Sequence, residues 1–263
     1  MSSPDSSARL ASLRMRAHQP QPGELAGRVV AITGASGGIG RAVALAAASH
    51  GAQVLLVGRT VRKLEAVYDE ILADGGAAQI APLNLETAGA PEYRQLADAI
   101  ADAYGRLDGL LHNAALLGTL TPIEQYDVPS FCKVLHVNLT AAFVLTQTLL
   151  PLLRASPDAS LVFTSSSVGR RGRAYWGAYA VSKFGIEGLA QTLAEETAHL
   201  GTLRVNVINP GAARTPMRRA AFPAEELSAS AAPEELANAY LWLLGPAGHG
   251  VHGLSLDAQA PPD

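Results

Sequence analysis

A chain of 263 residues with 48% hydrophobic but only 16% charged residues can bury one α/β core without covalent staples, and so little charge points to extensive burial, subunit interfaces included. A net charge of −3 without a basic stripe excludes a protein built mainly for nucleic acid, and the longest apolar stretches, Ala42 to Ser49 and Ala141 to Leu153, are broken by polar residues or too short for a bilayer, so no membrane partner is expected. Cys132 is the only cysteine, which excludes an intrachain disulfide and suggests a reducing, cytoplasmic setting.

Residues 1–22 are rich in Ser, Arg, Gln and Pro, with Asp5 the only acid. This has the look of a targeting leader, but a disordered tail or an oligomer arm around Leu10 and Leu13 is the preferred reading. Residues 23–263 form a single domain in this reading. From Arg28 onward, apolar β-type runs near 28–33, 53–57, 79–83, 108–112, 159–165, 203–208 and 253–256 alternate with helical periods near 39–50, 60–73, 91–104, 130–153, 177–199 and 233–244. Pro91 suits a first helical turn, and Gly51 and Gly201 sit where helices end. The pattern is that of one doubly wound α/β domain, a seven-stranded and mainly parallel sheet with helices on both faces, which binds ligands beyond the carboxyl ends of its strands.

In "VVAITGASGGIGRAV" a buried strand runs into glycines and then a helix, the context of a dinucleotide fingerprint. Gly34 permits the sharp turn, Gly38 the approach of a pyrophosphate and Gly40 tight packing of helix on sheet, with phosphate at the helix N-terminus. Gly34, Gly37 and Gly40 fit an alternative spacing equally well. After the second strand, "VLLVGRT" places Gly58 where an enzyme using NAD carries an acid for the ribose hydroxyls, and Arg59 follows. An arginine there pairs with a 2′-phosphate that an acid would repel, so the residues favour NADP; a solvated strand end is the alternative.

The fifth strand ends in three serines, and the next helix carries Tyr179 and Lys183 one turn apart on one face. Tyr175 has no lysine at that spacing. A free phenol titrates near ~10, too high for acid–base work at neutral pH. An ammonium at ~4 Å and an effective dielectric of ~20 attracts the phenolate by on the order of 4 kcal/mol, roughly three pKa units.

With these motifs in order, the chain from about Arg28 onward resembles the short-chain dehydrogenase/reductase family of the TGxxxGxG and YxxxK type, and within it the YciK-like oxidoreductases, on "SSSVGRRGRAYWGAYAVSKF" and "AFPAEE". The resemblance implies a Rossmann-like fold and hydride transfer between NADP(H) and a small carbonyl or secondary-alcohol substrate, with Tyr179 as the general acid/base. It selects Ser166, thirteen residues before Tyr179, as the active serine, and Asn138 in "HVNLT" as the catalytic asparagine holding a proton-relaying water. It makes Lys183 a ribose ligand too, and assigns cofactor contacts to Ser36 and Ile39 in the glycine-rich turn, to Asn84 and Asn113, and to Pro210, Gly211, Ala213 and Thr215 in "INPGAARTPM". Two positions depart from the family pattern: Ala115 replaces the glycine of its NNAG motif, and Asn84 the usual aspartate beside adenine. The family also implies a homodimer or homotetramer paired through the 130–153 and 177–199 helices.

Other residues take plainer readings. His249 and His252 lack a third metal ligand, so no metal is expected, and Cys132 is read as packing at a helix start. Arg170, Arg171 and Arg173 are read as solvated or subunit-contact residues, with attraction of an anionic substrate as the alternative. The segment "TPMRRAAFPAEELSASAAPEEL" is read as a lid. A nucleotide-sensing binding protein on the same fold is the competing class, disfavoured because Ser166, Tyr179 and Lys183 are all present; an extended epimerase or dehydratase needs a substrate domain for which the C-terminus leaves no room.

Overall fold

A computed structural model describes residues 4–260. The first helix, α1 (Pro4–Ala17), precedes β1 (Val29–Thr33), α2 (Gly38–Ser49), β2 (Gln53–Gly58), α3 (Val61–Ala73), β3 (Ala77–Pro82), α4 (Ala90–Tyr104) and β4 (Gly109–His112). Then come α5 (Val128–Leu135), a π-helical turn (His136–Thr140), α6 (Ala141–Arg154), β5 (Ala159–Thr164), α7 (Gly177–Thr197), β6 (Leu203–Asn209), α8 (Pro216–Ala221), α9 (Pro233–Leu244) and β7 (Ser255–Asp257). The strands form one sheet in the order β3-β2-β1-β4-β5-β6-β7. Every neighbouring pair is parallel, so the expected sheet is found without an antiparallel member.

Alternation along the strands divides the core. Val30 and Ile32 of β1, with Val54 and Leu56 of β2, face a cluster shared with α1, α2, α3 and α9. Val29, Ala31, Leu55 and Val57 face the opposite cluster, which α4, α6 and α7 cover. Because successive side chains of a strand point to opposite faces, a strand covered on both must be apolar throughout, and β1, β4 and β5 are buried at every position. The chain reverses its winding between β1 and β4, and there the carboxyl ends of the strands open a crevice.

Three expectations need correction. Of the two readings of residues 1–22, a disordered tail or an oligomer arm, the first is corrected: Pro4–Ala17 is helical, because Ala11 and Met15 give it an apolar face that buries in the α9 cluster; residues 1–3 of that segment lie outside the described residues. Arg16 donates to the carbonyls of Asp257 and Gln259, and the hydroxyl of Ser12 accepts from the amide of Asp257, so α1 hydrogen-bonds to the edge strand β7. The helix read as 130–153 divides at the π turn, where Asn138 lies. Together the divided parts run unbroken from Val128 to Arg154, long and apolar enough to cross a bilayer, although neither apolar half reaches that length alone. Leu145, Leu149 and Leu153 of α6 are fully buried in the sheet cluster.

Candidate active site

The glycine-rich turn after β1 is built by close approaches. Gly34 has φ 69° and Gly38 φ 52°, a region that favours glycine, whereas Gly37 is extended and a side chain there meets open space. The set Gly34, Gly38 and Gly40 is therefore the constrained one. A Cβ on Gly40 would stand 2.3 Å from the carbonyl oxygen of Gly34 and 2.6 Å from Nδ2 of Asn113, so α2 starts pressed against the strand ends. Asn113 donates to the carbonyl of Thr33 through Nδ2, and its backbone amide donates to the Thr33 hydroxyl. Neither Gly37 nor any side chain caps α2, which leaves its first amides directed at the cavity lined by Gly34, Ser36, Gly38 and Ile39.

That cavity, about 400 Å³, runs from Arg59 and Asn84 at one end past Asn113, Ala115 and Ser166 to Tyr179 and Lys183, with Pro210, Gly211, Ala213 and Thr215 on its far wall. Lys183 is 3% exposed, and its Nζ donates to the carbonyl of Thr164 at the end of β5, 2.7 Å away. Burial lowers its pKa to about 8, while the charge of Glu187 raises it. The Lys183 Nζ lies 5.5 Å from the centre of the Tyr179 ring. Burial raises the phenol to about 12, and a side-chain hydrogen bond with Ser166 pulls the other way. The expected depression by Lys183 is not found: desolvation dominates the phenol, and the ammonium is committed to the carbonyl oxygen of Thr164.

Asn138 sits in the π turn, a bulge often found at functional positions. Its Oδ1 accepts from the amide of Leu116 at 2.7 Å, and its Nδ2 donates to the carbonyl of Leu116 and the hydroxyl of Ser182, both at 2.9 Å. Ser182 in turn donates to the carbonyl of Tyr179. Asn138 thus ties the cavity wall at Leu116 to the helix that carries the tyrosine. Both of its amide protons are committed inside the protein.

The short chain dehydrogenase family model matches residues 28–226, which hold the glycine turn, Asn138, Ser166, Tyr179 and Lys183. The chain belongs to the short-chain dehydrogenase family. It is 47% identical to the uncharacterized oxidoreductase YciK of Escherichia coli K12 over 92% of its own length and 96% of that protein's. Two solved relatives carry nucleotides. A short chain dehydrogenase of Shigella flexneri 2a, solved complexed with NADP, has 46% identity and a TM-score of 0.89 over 91% of this chain and 100% of that one. An Escherichia coli CFT073 counterpart, solved complexed with NADPH, has 47% identity and a TM-score of 0.88 over 91% and 100%. This dehydrogenase is therefore a YciK-like oxidoreductase of the Rossmann fold, as the sequence motifs imply.

Other expected residues of the dehydrogenase have different surroundings from those anticipated. Arg59 is 61% exposed at the end of β2 and faces Glu86 at 3.6 Å. The side-chain oxygen of Asn84 accepts from the amide of Glu86, so part of its capacity for adenine is taken up by a local turn. Thr215 caps α8 by accepting from the amide of Arg218, while its methyl lies where a Cβ on Gly38 would come within 3.2 Å. Gly211, at φ 73°, and Ala213 are held from behind by Gln259, whose Nε2 donates to the carbonyls of Pro210 and Ala212. Cys132 is exposed on α5, and does not pack as expected. Arg170 pairs with Asp257 and Ser255 and is structural, whereas Arg173 stacks over Trp176 and Phe222, linking the loop before α7 to the end of α8. His252 bridges the amide of Val205 and the carbonyl of Ala194, and no group of three metal-ligating side chains occurs among the described residues.

Sequence reasoning missed Glu86, Gln259, Trp176 and Ser165. Ser165, the neighbour of Ser166, has a buried Oγ with no hydrogen-bond partner among the described residues, and it lines the cavity. A run of three serines cannot say which hydroxyls turn inward.

His112 closes β4 behind this site, stacked on Phe163 at 4.8 Å and hydrogen-bonded to the Thr146 hydroxyl at 2.8 Å. Burial, and secondarily the charge of Lys183, lowers its pKa from 6.5 to about 3. The unfolded chain protonates this imidazole below about 6.5 and the folded one does not, so stability is lost as pH falls through that window. Between pH 6.5 and 5 the loss attributable to His112 should be on the order of 2 kcal/mol. Urea unfolding of wild type and His112→Gln at both pH values checks this. The variant should be less stable at pH 6.5 but show a flatter decline to pH 5.

Proposed function

We propose that this oxidoreductase transfers hydride between NADP(H) and a small carbonyl or secondary-alcohol substrate, with Tyr179 as the general acid/base. The observation that carries the reading is the convergence of Ser166, Tyr179 and a buried Lys183 at the end of β5, in a cavity that continues to the uncapped start of α2. The residues fit a dinucleotide. The glycine turn leaves amides free for a pyrophosphate, Gly211 and Ala213 present backbone at the far wall, and the unpartnered hydroxyl of Ser165 offers a further polar contact. The two nucleotide-bound relatives support NADP as the ligand. When bound, NADPH supplies the hydride.

The chain's own groups handle the proton. A phenol with its pKa near 12 is protonated at neutral pH, which suits delivery of a proton to the oxygen of a carbonyl being reduced. Ser166 and Tyr179 donate hydrogen bonds to that oxygen and stabilise its developing negative charge. Lys183 favours the phenolate left behind, and its position under the cavity suits it to hold the nicotinamide ribose as well. Asn138 keeps Leu116 and Tyr179 in register through Ser182, and a relayed water can bind it only by donating to Oδ1 or at its backbone. A reducing compartment such as the cytoplasm accords with a lone cysteine.

Tyr179→Phe should abolish turnover while leaving NADPH affinity nearly intact. Steady-state assays over a panel of carbonyl compounds, with NADPH titrated by fluorescence, check this. Residual turnover within about tenfold of wild type, a barrier change of only ~1.4 kcal/mol, would sink the role.

Arg59 is proposed as the partner of the 2′-phosphate. Its exposure and its existing neighbour Glu86 place the preference for NADPH over NADH at the lower end for a charge-assisted pair, about tenfold. Arg59→Ala should erase most of that preference by weakening NADPH alone, read as the ratio of kcat/KM values for the two cofactors.

We also propose a homo-oligomer, a dimer or tetramer. Phe143 on α6 and Val181 and Phe184 on α7 are each close to half exposed, on the two helices expected to pair across a two-fold axis. Light scattering at micromolar concentration should return at least twice the monomer mass of 27.3 kDa.

A further inference from the structure

Beyond Arg59, a second cation reaches Glu86 at the Arg59 end of the cavity. Lys133, on α5, approaches Glu86 at 2.6 Å from Nζ to Oε1. The other carboxylate oxygen of Glu86 stands 3.6 Å from Nη1 of Arg59, an ion-pair contact but too long for a hydrogen bond. Glu86 itself lines the cavity, and its backbone is held by Asn84, so only its side chain is free to turn. Three elements therefore bring two cations and one carboxylate together beside the proposed 2′-phosphate position: the end of β2, the turn after β3, and α5.

A carboxylate in that position works against a ligand of this charge. A phosphate monoester carries about −1.5 to −2 at pH 7, so an unrestrained Glu86 would compete for Arg59 and repel it. It would also stand where an acid could accept from the hydroxyls of an unmodified ribose. We infer that Lys133 sets cofactor specificity by drawing the Glu86 carboxylate toward itself and weakening its ion pair with Arg59, so that a 2′-phosphate can displace it from that guanidinium. Lys133 does so without touching the cofactor. The inference rests on the reading of NADP as ligand, and extends it to two residues that no fingerprint of the fold includes.

All three side chains are partly solvated, Lys133 at 49%, Glu86 at 30% and Arg59 at 61%, so the effects are modest and salt-sensitive. Dissociation constants for NADPH and NADH, measured by fluorescence titration without substrate, test the idea in four proteins. Wild type should bind NADPH more tightly than NADH. Lys133→Ala should weaken NADPH about three- to fivefold and leave NADH unchanged or slightly tighter, and Glu86→Gln should tighten NADPH by a similar factor. In the double variant the loss of Lys133 should cost nothing, because no carboxylate remains to be held. If Lys133→Ala weakens NADPH equally with and without Glu86→Gln, Lys133 contacts the phosphate directly and the inference fails. A loss shared by both nucleotides, or no loss, overturns it too. Equal binding of the two by wild type would show instead that the NADP reading itself is wrong.

Discussion

The hydrogen bond from the ammonium of Lys183 to the carbonyl of Thr164 joins the last residue of β5 to the second turn of α7, and the site is organised around it. A buried cation is costly unless its protons are met, and here the open end of a parallel strand meets one of them. The requirement fixes how closely α7 lies against the sheet. Gly169, in the connection between them, is near enough that a Cβ would stand 2.9 Å from Cβ of Lys183 and 2.6 Å from Oγ of Ser165. Any bulk in that connection would lift the helix and with it Tyr179.

The same helix is anchored from its other side. Asn138 can reach both Leu116 and Ser182 because the π turn interrupts α5 and α6 at that residue and turns the amide inward. A uniform helix over 128–154 would carry the side chain past the site. The cavity wall after β4, the tyrosine helix and the long helix between them thus share one small polar network, and His112 is kept neutral behind it. A fully satisfied buried network of this kind rigidifies the elements it joins.

The far wall depends on contacts distant in sequence. Gln259, beyond the last strand, holds Pro210 and Ala212, and α1 hydrogen-bonds to the same C-terminal region through Ser12 and Arg16. The helix α1 and the segment after β7 therefore brace the cavity wall that carries Pro210, Gly211 and Ala213. Across the mouth, Trp176 packs between Tyr179 and Phe222, which joins the loop before α7 to the α8 segment read as a lid.

The sequence by itself determined the sheet, its strands to within about two residues, the helices that cover it and the spacing of Tyr179 and Lys183 on one helix face. Those features are written in local signals: apolar runs, glycines at a strand–helix turn, and a tyrosine and lysine one helical turn apart. Tertiary structure alone decided the rest. Which of Gly37 and Gly38 is constrained depends on Thr215, 177 positions further along the chain than Gly38. The ordering of α1 depends on an apolar patch of α9 that no pattern in residues 1–22 reveals. The protonation of Tyr179 depends on how deeply it is buried, which spacing to a lysine does not encode. Glu86 and Lys133 lie 47 positions apart and meet only because β3 and α5 end at the same edge of the cavity. Local sequence records the interactions that a few consecutive residues make with one another; burial, and the partners it forces on charged groups, belongs to the packed whole.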